Sequence, residues 1–191
     1  MKILALSSSP RVHSNSRLLM ETILENIPKD SGHEIRRLDV AKLHIKPCIA
    51  CKACFKNETA SCVLEDDYAI VADAIAEADY IFMASPVYWW YISAQLKLII
   101  DRSYPPPYEK FRNKTIFLVT TGSEPADSIQ HEIITKSFQE ICDYMGCRFR
   151  YFGAQADDRD YPITKNLEAL KQARELGETF DLQAASVSET K

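Results

Sequence analysis

The residues of this 191-residue chain best suited to chemistry fall in a few short stretches. Cys48, Cys51, Cys54 and Cys62 form C-x2-C-x2-C-x7-C. Two consecutive C-x2-C steps bring three thiolates within reach of one iron–sulfur cluster, and a looser fourth can close it. Four thiolates also suit tetrahedral zinc, which favours two separated pairs. A redox disulfide, for example between Cys51 and Cys54, is a third chemistry open to the run. A second stretch, SSSPRVHSNS (7–16), sets five Ser hydroxyls, Asn15 and Arg11 before an amphipathic segment. Free N–H groups and the positive dipole end at a helix start suit a phosphate, and Arg11 could neutralise it. The loop lacks the G-x-G-x-x-G and G-K-[ST] patterns, so a phosphomonoester fits better than a pyrophosphate or triphosphate. The alternative is a Ser-rich turn capped at Ser14 or Asn15.

Two further loops complete the set. In SPVYWWYIS (85–93), Tyr88, Trp89 and Trp90 follow an apolar run where the chain should surface. Exposed aromatics there suit stacking on a planar ring; the alternatives are an aromatic dimer contact or local core. TTGSEPADS (120–128) offers backbone N–H groups, small side chains and one glycine.

These loops need a frame, and the apolar periodicity supplies one. Strands are expected at 2–7, 33–40, 79–87, 113–122 and 147–155, with helices at 15–28, 66–78, 93–102, 128–146 and 163–180. Leu18, Leu19, Ile23 and Ile27 recur at helical spacing, whereas 79–84 and 115–120 are continuous apolar runs typical of interior parallel strands. Ser93 or a neighbour suits an N-cap and Gly146 a C-cap, and the Pro105–Pro107 run ends the helix before it. Alternating strands and helices predict an α/β, flavodoxin-like doubly wound fold. Its five-stranded parallel sheet has the order 2-1-3-4-5, with helices on both faces. Ligands of such sheets bind at the carboxyl ends of the strands where the order reverses, between the first and third. Loops 7–16 and 85–92 meet there. Residues 1–180 read as one domain and 181–191 as a polar tail.

Composition removes other classes. A net charge of −4 carries no basic footprint for nucleic acid. No apolar run approaches the roughly 20 residues of a membrane span, and MKILALSSSPR is too short for a signal-peptide core. A cytoplasmic protein with reduced thiols is expected, its cysteines serving as ligands, redox groups or core filler. Cys142 and Cys147 read as core thiols, and His33, His44 and His131 as surface or loop residues.

In order and spacing, SSSPR…SNS, C-x-x-C-x-x-C-F…C…DD, SPVYW…SAQLKLIIDR and TTG resemble the NADPH-dependent FMN reductase and iron–sulfur flavoprotein group of the flavodoxin-like superfamily, over roughly residues 1–155. The resemblance implies non-covalent FMN and a homodimer or higher homo-oligomer with the flavin near the interface. By position, Ser7, Ser9, Arg11, Ser14, Asn15 and Ser16 would hold the FMN phosphate. Pro86, Val87, Tyr88 and Trp89 would line the isoalloxazine, and Thr121 and Gly122 would close its far side. Ser8 stands where many relatives have Gly. Asp101-Arg102 matches a family pair expected to form a helix-end ion pair. In the group, Cys48, Cys51, Cys54 and Cys62 correspond either to ligands of a [4Fe–4S] cluster serving FMN or to a metal-free loop beside the flavin.

No Ser/His/Asp or Cys/His signature is present, and FMN would carry the chemistry without a catalytic side chain. One reading is an oxidoreductase passing electrons from NAD(P)H to a flavin, quinone or other small acceptor. Another is an iron–sulfur electron carrier exchanging electrons with a ferredoxin-like redox protein. A non-catalytic phosphate-binding regulator is the third.

Overall fold

The computed structural model describes residues 1–29, 32–56, 61–103 and 110–180. The proline run at 105–107 and the tail 181–191 lie outside them. Strand β1 (Lys2–Ser7) leads through the serine loop to α1 (Asn15–Glu25), and β2 (Glu34–Asp39) follows. The cysteine loop then leads to α2 (Tyr68–Glu77) and β3 (Tyr80–Tyr88). A two-residue strand β4 (Tyr91–Ile92) precedes α3 (Ala94–Arg102). The chain closes with β5 (Thr115–Gly122), α4 (Ile129–Met145), β6 (Arg148–Gln155) and α5 (Leu167–Glu178).

The sheet runs β2-β1-β3-β5-β6, parallel throughout that path, with β4 antiparallel to β3 at its end. The expected arrangement of five parallel strands holds, and β4 is a sixth strand within the stretch expected as loop. Helix α1 stops three residues short of the expected Ile27-Pro28 end, at Glu25. The last helix begins at Leu167 behind a 3-10 turn (Ile163–Lys165), where Asn166 caps it by accepting from Ala169 N–H. Ser93 and Gly146 cap α3 and α4 as their positions suggested.

Strand alternation sorts the core into two layers. Ile3, Ala5, Phe82, Ala84, Phe117 and Val119 face α1 and α5, while Leu4, Leu6, Ile81, Met83, Ile116 and Leu118 face α2, α3 and α4. Phe82 and Phe117, in register on β3 and β5, stack with centroids 4.8 Å apart. All these side chains are within 3% of full burial, so the sheet is a rigid platform whose carboxyl edge fixes the loops.

Helices α1 and α5 approach closely because of Gly177. A Cβ there would sit 2.3 Å from Ile23 O and 2.8 Å from Asn26 Cβ. In an open helix, Gly→Ala stabilises by about 0.5–1 kcal/mol. Here overpacking dominates, and Gly177→Ala is expected to lower stability by about 1–3 kcal/mol, read as a reduced urea midpoint with unchanged slope.

Candidate functional site

A cleft of about 200 Å³ opens at the carboxyl edge of the sheet, between the β1–α1 loop and the ends of β3 and β5. The structure brings all but two of the expected cofactor residues to its walls. Ser9, Arg11, Ser14, Asn15 and Ser16 come from the first loop and helix start, Pro86, Val87 and Tyr88 from β3, and Thr121 and Gly122 from β5. Ser7 and Trp89 are the two outside the lining. A larger, more apolar cavity of about 680 Å³ lies between α3, α4 and Cys48. It has no array of loop hydroxyls at a helix start, so the cleft is the candidate site.

Three serines under the cleft lock its walls together. Ser8 N–H and Oγ–H both donate to Ala84 O of β3, at 3.0 and 2.9 Å. Ser93 Oγ donates to Ser8 Oγ at 2.8 Å, and Ser93 N–H donates to Ser85 Oγ at 2.9 Å. All three residues are fully buried. The hydroxyl that Ser8 adds thus serves to join the first and second loops, a role that composition alone did not reveal.

Ser14 caps α1, its Oγ accepting from Arg17 N–H at 3.2 Å, and Ser16 Oγ lies 3.2 Å from Ser14 Oγ. The cap leaves a helix start with hydroxyls and first-turn N–H groups at the cleft, an arrangement suited to an anion. Arg17, which sequence reading passed over, braces this loop from outside. Its Nε donates to Ser7 Oγ at 2.8 Å and its Nη2 to Asp39 at 2.9 Å. Ser7 is therefore turned to Arg17 rather than to the cleft.

A fourth loop, after β6, was also missed. It brings Ala156, Asp157 and Asp158 to the cleft, and Ser123 joins them from the loop after β5. Arg11 forms an ion pair with Asp158 and lies 5.9 Å from the centroid of the Tyr88 ring. The Asn15 amide donates to Asp157 O at 3.1 Å and to Asp158 Oδ1 at 3.3 Å, and its Oδ1 accepts from Ile163 N–H. Asn15 thus staples α1 to the last loop. Asp157 Oδ1 accepts from the N–H groups of Tyr161, Asp160 and Arg159, which hold its carboxyl below the usual range. An Asp with nothing but turn residues after it gave no sequence sign that it would reach the cleft.

The aromatic loop is a hairpin, not an open coil. Tyr88 pairs with Tyr91, and Trp89 and Trp90 turn the chain at φ 49° and 65°. Two consecutive positive φ values belong to the tight hairpin turns that ordinarily use Asn-Gly. The absence of that turn chemistry is why the sequence hid β4. At this turn Trp89 is 91% exposed, its ring edge-on to Trp90 with centroids 5.8 Å apart. Gly122 lets β5 approach this wall, since a Cβ there would come 3.1 Å from Val87 Cβ.

At the base of α4, His131 is a correction to the sequence reading. It is 1% exposed, with Nδ1 at 3.1 Å from Thr120 Oγ1 and close to Tyr151 OH. Burial lowers its pKa, which favours neutral imidazole inside this hydroxyl network.

The expected Asp101–Arg102 ion pair is also corrected. Adjacent helical side chains diverge, and Asp101 pairs with Lys97 one turn back. Arg102 instead pairs with Asp66 at 2.5 Å, the two side chains 1% and 0% exposed, and stacks over Tyr68 at 4.3 Å. Arg102 Nη1 also donates to Lys46 O at 3.2 Å, and Asp66 Oδ2 accepts from Lys46 N–H at 2.8 Å. His44 N–H donates to Asp67 Oδ2. The two ends of the cysteine loop are therefore clamped together. Burial opposes ionisation of Asp66, but bonds from Arg102, Lys46 N–H and Tyr68 N–H outweigh it and lower its pKa.

Within that clamp, Ala50 and Lys52, between successive cysteines, take φ 52° and 57°, wrapping the chain sharply at each step. Ala50 N–H donates to Cys48 Sγ at 3.4 Å. Burial raises the Cys54 thiol, and Cys62, Cys51 and Cys48 around it push the same way. Donor type, wrapped backbone and N–H···S bonding fit a thiolate-bound cluster. Cys48 and Cys51 are exposed, and among the described residues no three His, Cys, Asp or Glu side chains converge closely enough to hold a metal ion. Cys142 and Cys147 are buried, as expected of core thiols.

Residues 1–139 match the family described as NADPH-dependent FMN reductase. The chain belongs to that family. An iron–sulfur flavoprotein of Methanocaldococcus jannaschii is 38% identical over 124 residues, 64% of this chain and 63% of that protein. An iron–sulfur flavoprotein of Methanosarcina thermophila is 36% identical over 147 residues, 76% of this chain and 73% of that protein. The chain thus spans less than two thirds of the length of the M. jannaschii relative. An FMN-dependent NADH-azoreductase from Bacillus anthracis, solved with FMN, shares the fold with a TM-score of 0.72 at 12% identity, over 94% of this chain and 99% of that one. A member of the FMN reductase family thus keeps its cleft at the sheet's carboxyl edge, and no helix among its described residues is long and apolar enough to cross a membrane.

Two outcomes test this geometry. Asp66→Asn leaves the Arg102 charge buried and unpaired, an expected loss of about 3–5 kcal/mol near neutral pH. Because the folded pKa of Asp66 is lowered, the pair's contribution is full above the ordinary aspartate range and disappears as pH falls through the folded value. Thermal unfolding across the acid range should therefore show the gap between the two proteins closing at low pH. Replacing Trp89-Trp90 by Asn-Gly should relieve backbone strain of about 1–3 kcal/mol per residue, seen as a raised melting temperature.

Proposed function

We propose that this chain is an FMN-dependent oxidoreductase that takes electrons from NAD(P)H and passes them to a flavin, quinone or other small acceptor. The observation that carries the reading is the meeting of the capped α1 start, Ser9, Ser14, Ser16 and Arg11 with the β3 and β5 walls in one cleft. FMN, when bound, supplies hydride and single-electron transfer. The chain's residues bind and orient it. First-turn N–H groups of α1 and the serine hydroxyls take the phosphate, and Arg11 exchanges Asp158 for the anion. Pro86, Val87 and Tyr88 hold one side of the ring system, the strained Trp89 extends that wall, and Thr121 and Gly122 close the other side.

A homodimer or higher homo-oligomer fits this reading. Ile129, Ile133 and Tyr144 lie exposed on α4, at spacings that share one helix face.

A second reading is favoured by the wrapped cysteine loop and by the relatives' description as iron–sulfur flavoproteins. In it, Cys48, Cys51, Cys54 and Cys62 hold a [4Fe–4S] cluster that exchanges electrons with a redox protein. Anaerobic purification separates the two. A yellow, iron-free protein that oxidises NAD(P)H rapidly supports the first, and a brown protein with stoichiometric iron and sulfide supports the second. A colourless protein that takes up no FMN contradicts both.

The phosphate assignment has its own test, fluorescence titration of the flavin-free protein with FMN and with riboflavin, which lacks the phosphate. FMN should bind more tightly, and Arg11→Ala should weaken FMN about tenfold, equivalent to about 1.4 kcal/mol, while leaving riboflavin nearly unchanged. Equal losses for both flavins would remove Arg11 from the phosphate site.

A further inference from the structure

The cysteine loop is closed at both ends by one buried arginine whose hydrogen-bonding capacity is only partly used. Arg102 is 3% exposed at the C-terminal end of α3. Its Nη1 donates to Lys46 O and to Asp66, the residues that begin and end the loop. Its Nε and Nη2, also buried, have no hydrogen-bond partner among the described residues. Buried guanidinium N–H groups left without an acceptor carry a desolvation penalty, which favours any arrangement that brings an acceptor to them.

The surroundings narrow that acceptor's chemistry. Asp66 is already engaged, and Tyr68 offers its ring face to the guanidinium while its hydroxyl donates to Arg102 O at 2.6 Å. Cys62 is partly buried and packs against the core layer that contains Tyr68. Its sulfur already acts on the guanidinium through hydrogen bonding and charge, while Nε and Nη2 themselves remain without a partner. An anionic sulfur drawn slightly inward would satisfy those donors. Charge-assisted bonds to ligating atoms both orient the ligand and stabilise its anionic form.

We propose that Arg102 is the positioning residue of the cysteine loop, its unpartnered N–H groups donating to Cys62 Sγ when the loop ligates an iron–sulfur cluster. The proposal rests on the cluster reading of the loop. Arg102 touches neither the flavin cleft nor a substrate. It holds Lys46 and Asp66 with one edge and presents its other N–H groups to the fourth thiolate of the C-x2-C-x2-C-x7-C run.

The test uses full-length protein purified anaerobically, supplied with ferrous iron and sulfide, and then challenged with a chelator. Arg102→Lys keeps the charge beside Asp66 and removes the fork. It should retain its cluster 10–100-fold less well than the wild type, the loss typical of a hydrogen-bonding partner behind a metal ligand, with FMN content and melting temperature maintained. Cys62→Ser should also weaken retention, and adding Arg102→Lys to it should change nothing further, since both act through one sulfur. Should Arg102→Lys lower the melting temperature, Asp66→Leu/Arg102→Met removes the buried charges together and is expected to release the cluster as fast as Arg102→Lys. Release at the wild-type rate from Arg102→Lys, or additive effects of the two changes, would overturn the role of Arg102 and leave the cluster intact. A wild type that takes up no iron and sulfide would overturn the cluster reading and this proposal with it.

Discussion

Three buried hydroxyls hold the cleft in shape. Ser8, Ser85 and Ser93 belong to three different points of the chain, and their bonds tie the end of β1 to the end of β3 and to the start of α3. Parallel strands cannot do this alone, because their ladder ends where the loops begin. Without the lock, the serine loop and the aromatic hairpin would be two independent surface segments. With it, the α1 start, the β3 wall and the β5 wall keep a fixed separation, the preorganisation that binding a rigid planar cofactor requires.

A second constraint acts below the sheet edge. The buried Arg102–Asp66 pair is weak evidence for stability, since desolvating two charges offsets their attraction. What it does provide is position. It fixes Lys46 and Asp66 against α3, so the cysteine run leaves and re-enters the fold at one place. The loop between carries left-handed Ala50 and Lys52, a backbone form that non-glycine residues keep only where the surroundings demand it. The hairpin at Trp89-Trp90 stores strain of the same kind beyond the end of β3. Both strained turns flank the carboxyl end of the sheet, where chemistry in such folds takes place.

Much of this frame is legible in the sequence, for a physical reason. Interior parallel strands must be apolar on both faces and helices on one, so Ile81–Ala84 and Ile116–Val119 declare themselves by composition. The sheet order and the switch point then single out the candidate cleft. Caps at Ser14, Ser93 and Gly146 are local chemistry and equally readable. What could not be read are the long-range partners. Arg102 finds Asp66 across 36 residues and not its neighbour Asp101; His131 is buried by Tyr151 and Thr120; Asn15 is claimed by Asp157 and Asp158 from the far end of the chain. Nothing in the types of these residues encodes the choice, which is made by packing. The hairpin at Trp89-Trp90 escaped notice because its turn lacks the Asn or Gly that usually announces positive φ.

Everything proposed for the flavin depends on the cleft at the α1 start being the site of the FMN phosphate. A crystal structure of the protein grown with FMN tests this most directly. The phosphate is expected at the first-turn N–H groups of α1, in contact with Ser14 or Ser16, with Arg11 released from Asp158 and the ring system against Val87, Tyr88 and Gly122. A phosphate bound elsewhere, or FMN seated in the apolar cavity between α3 and α4, would contradict it.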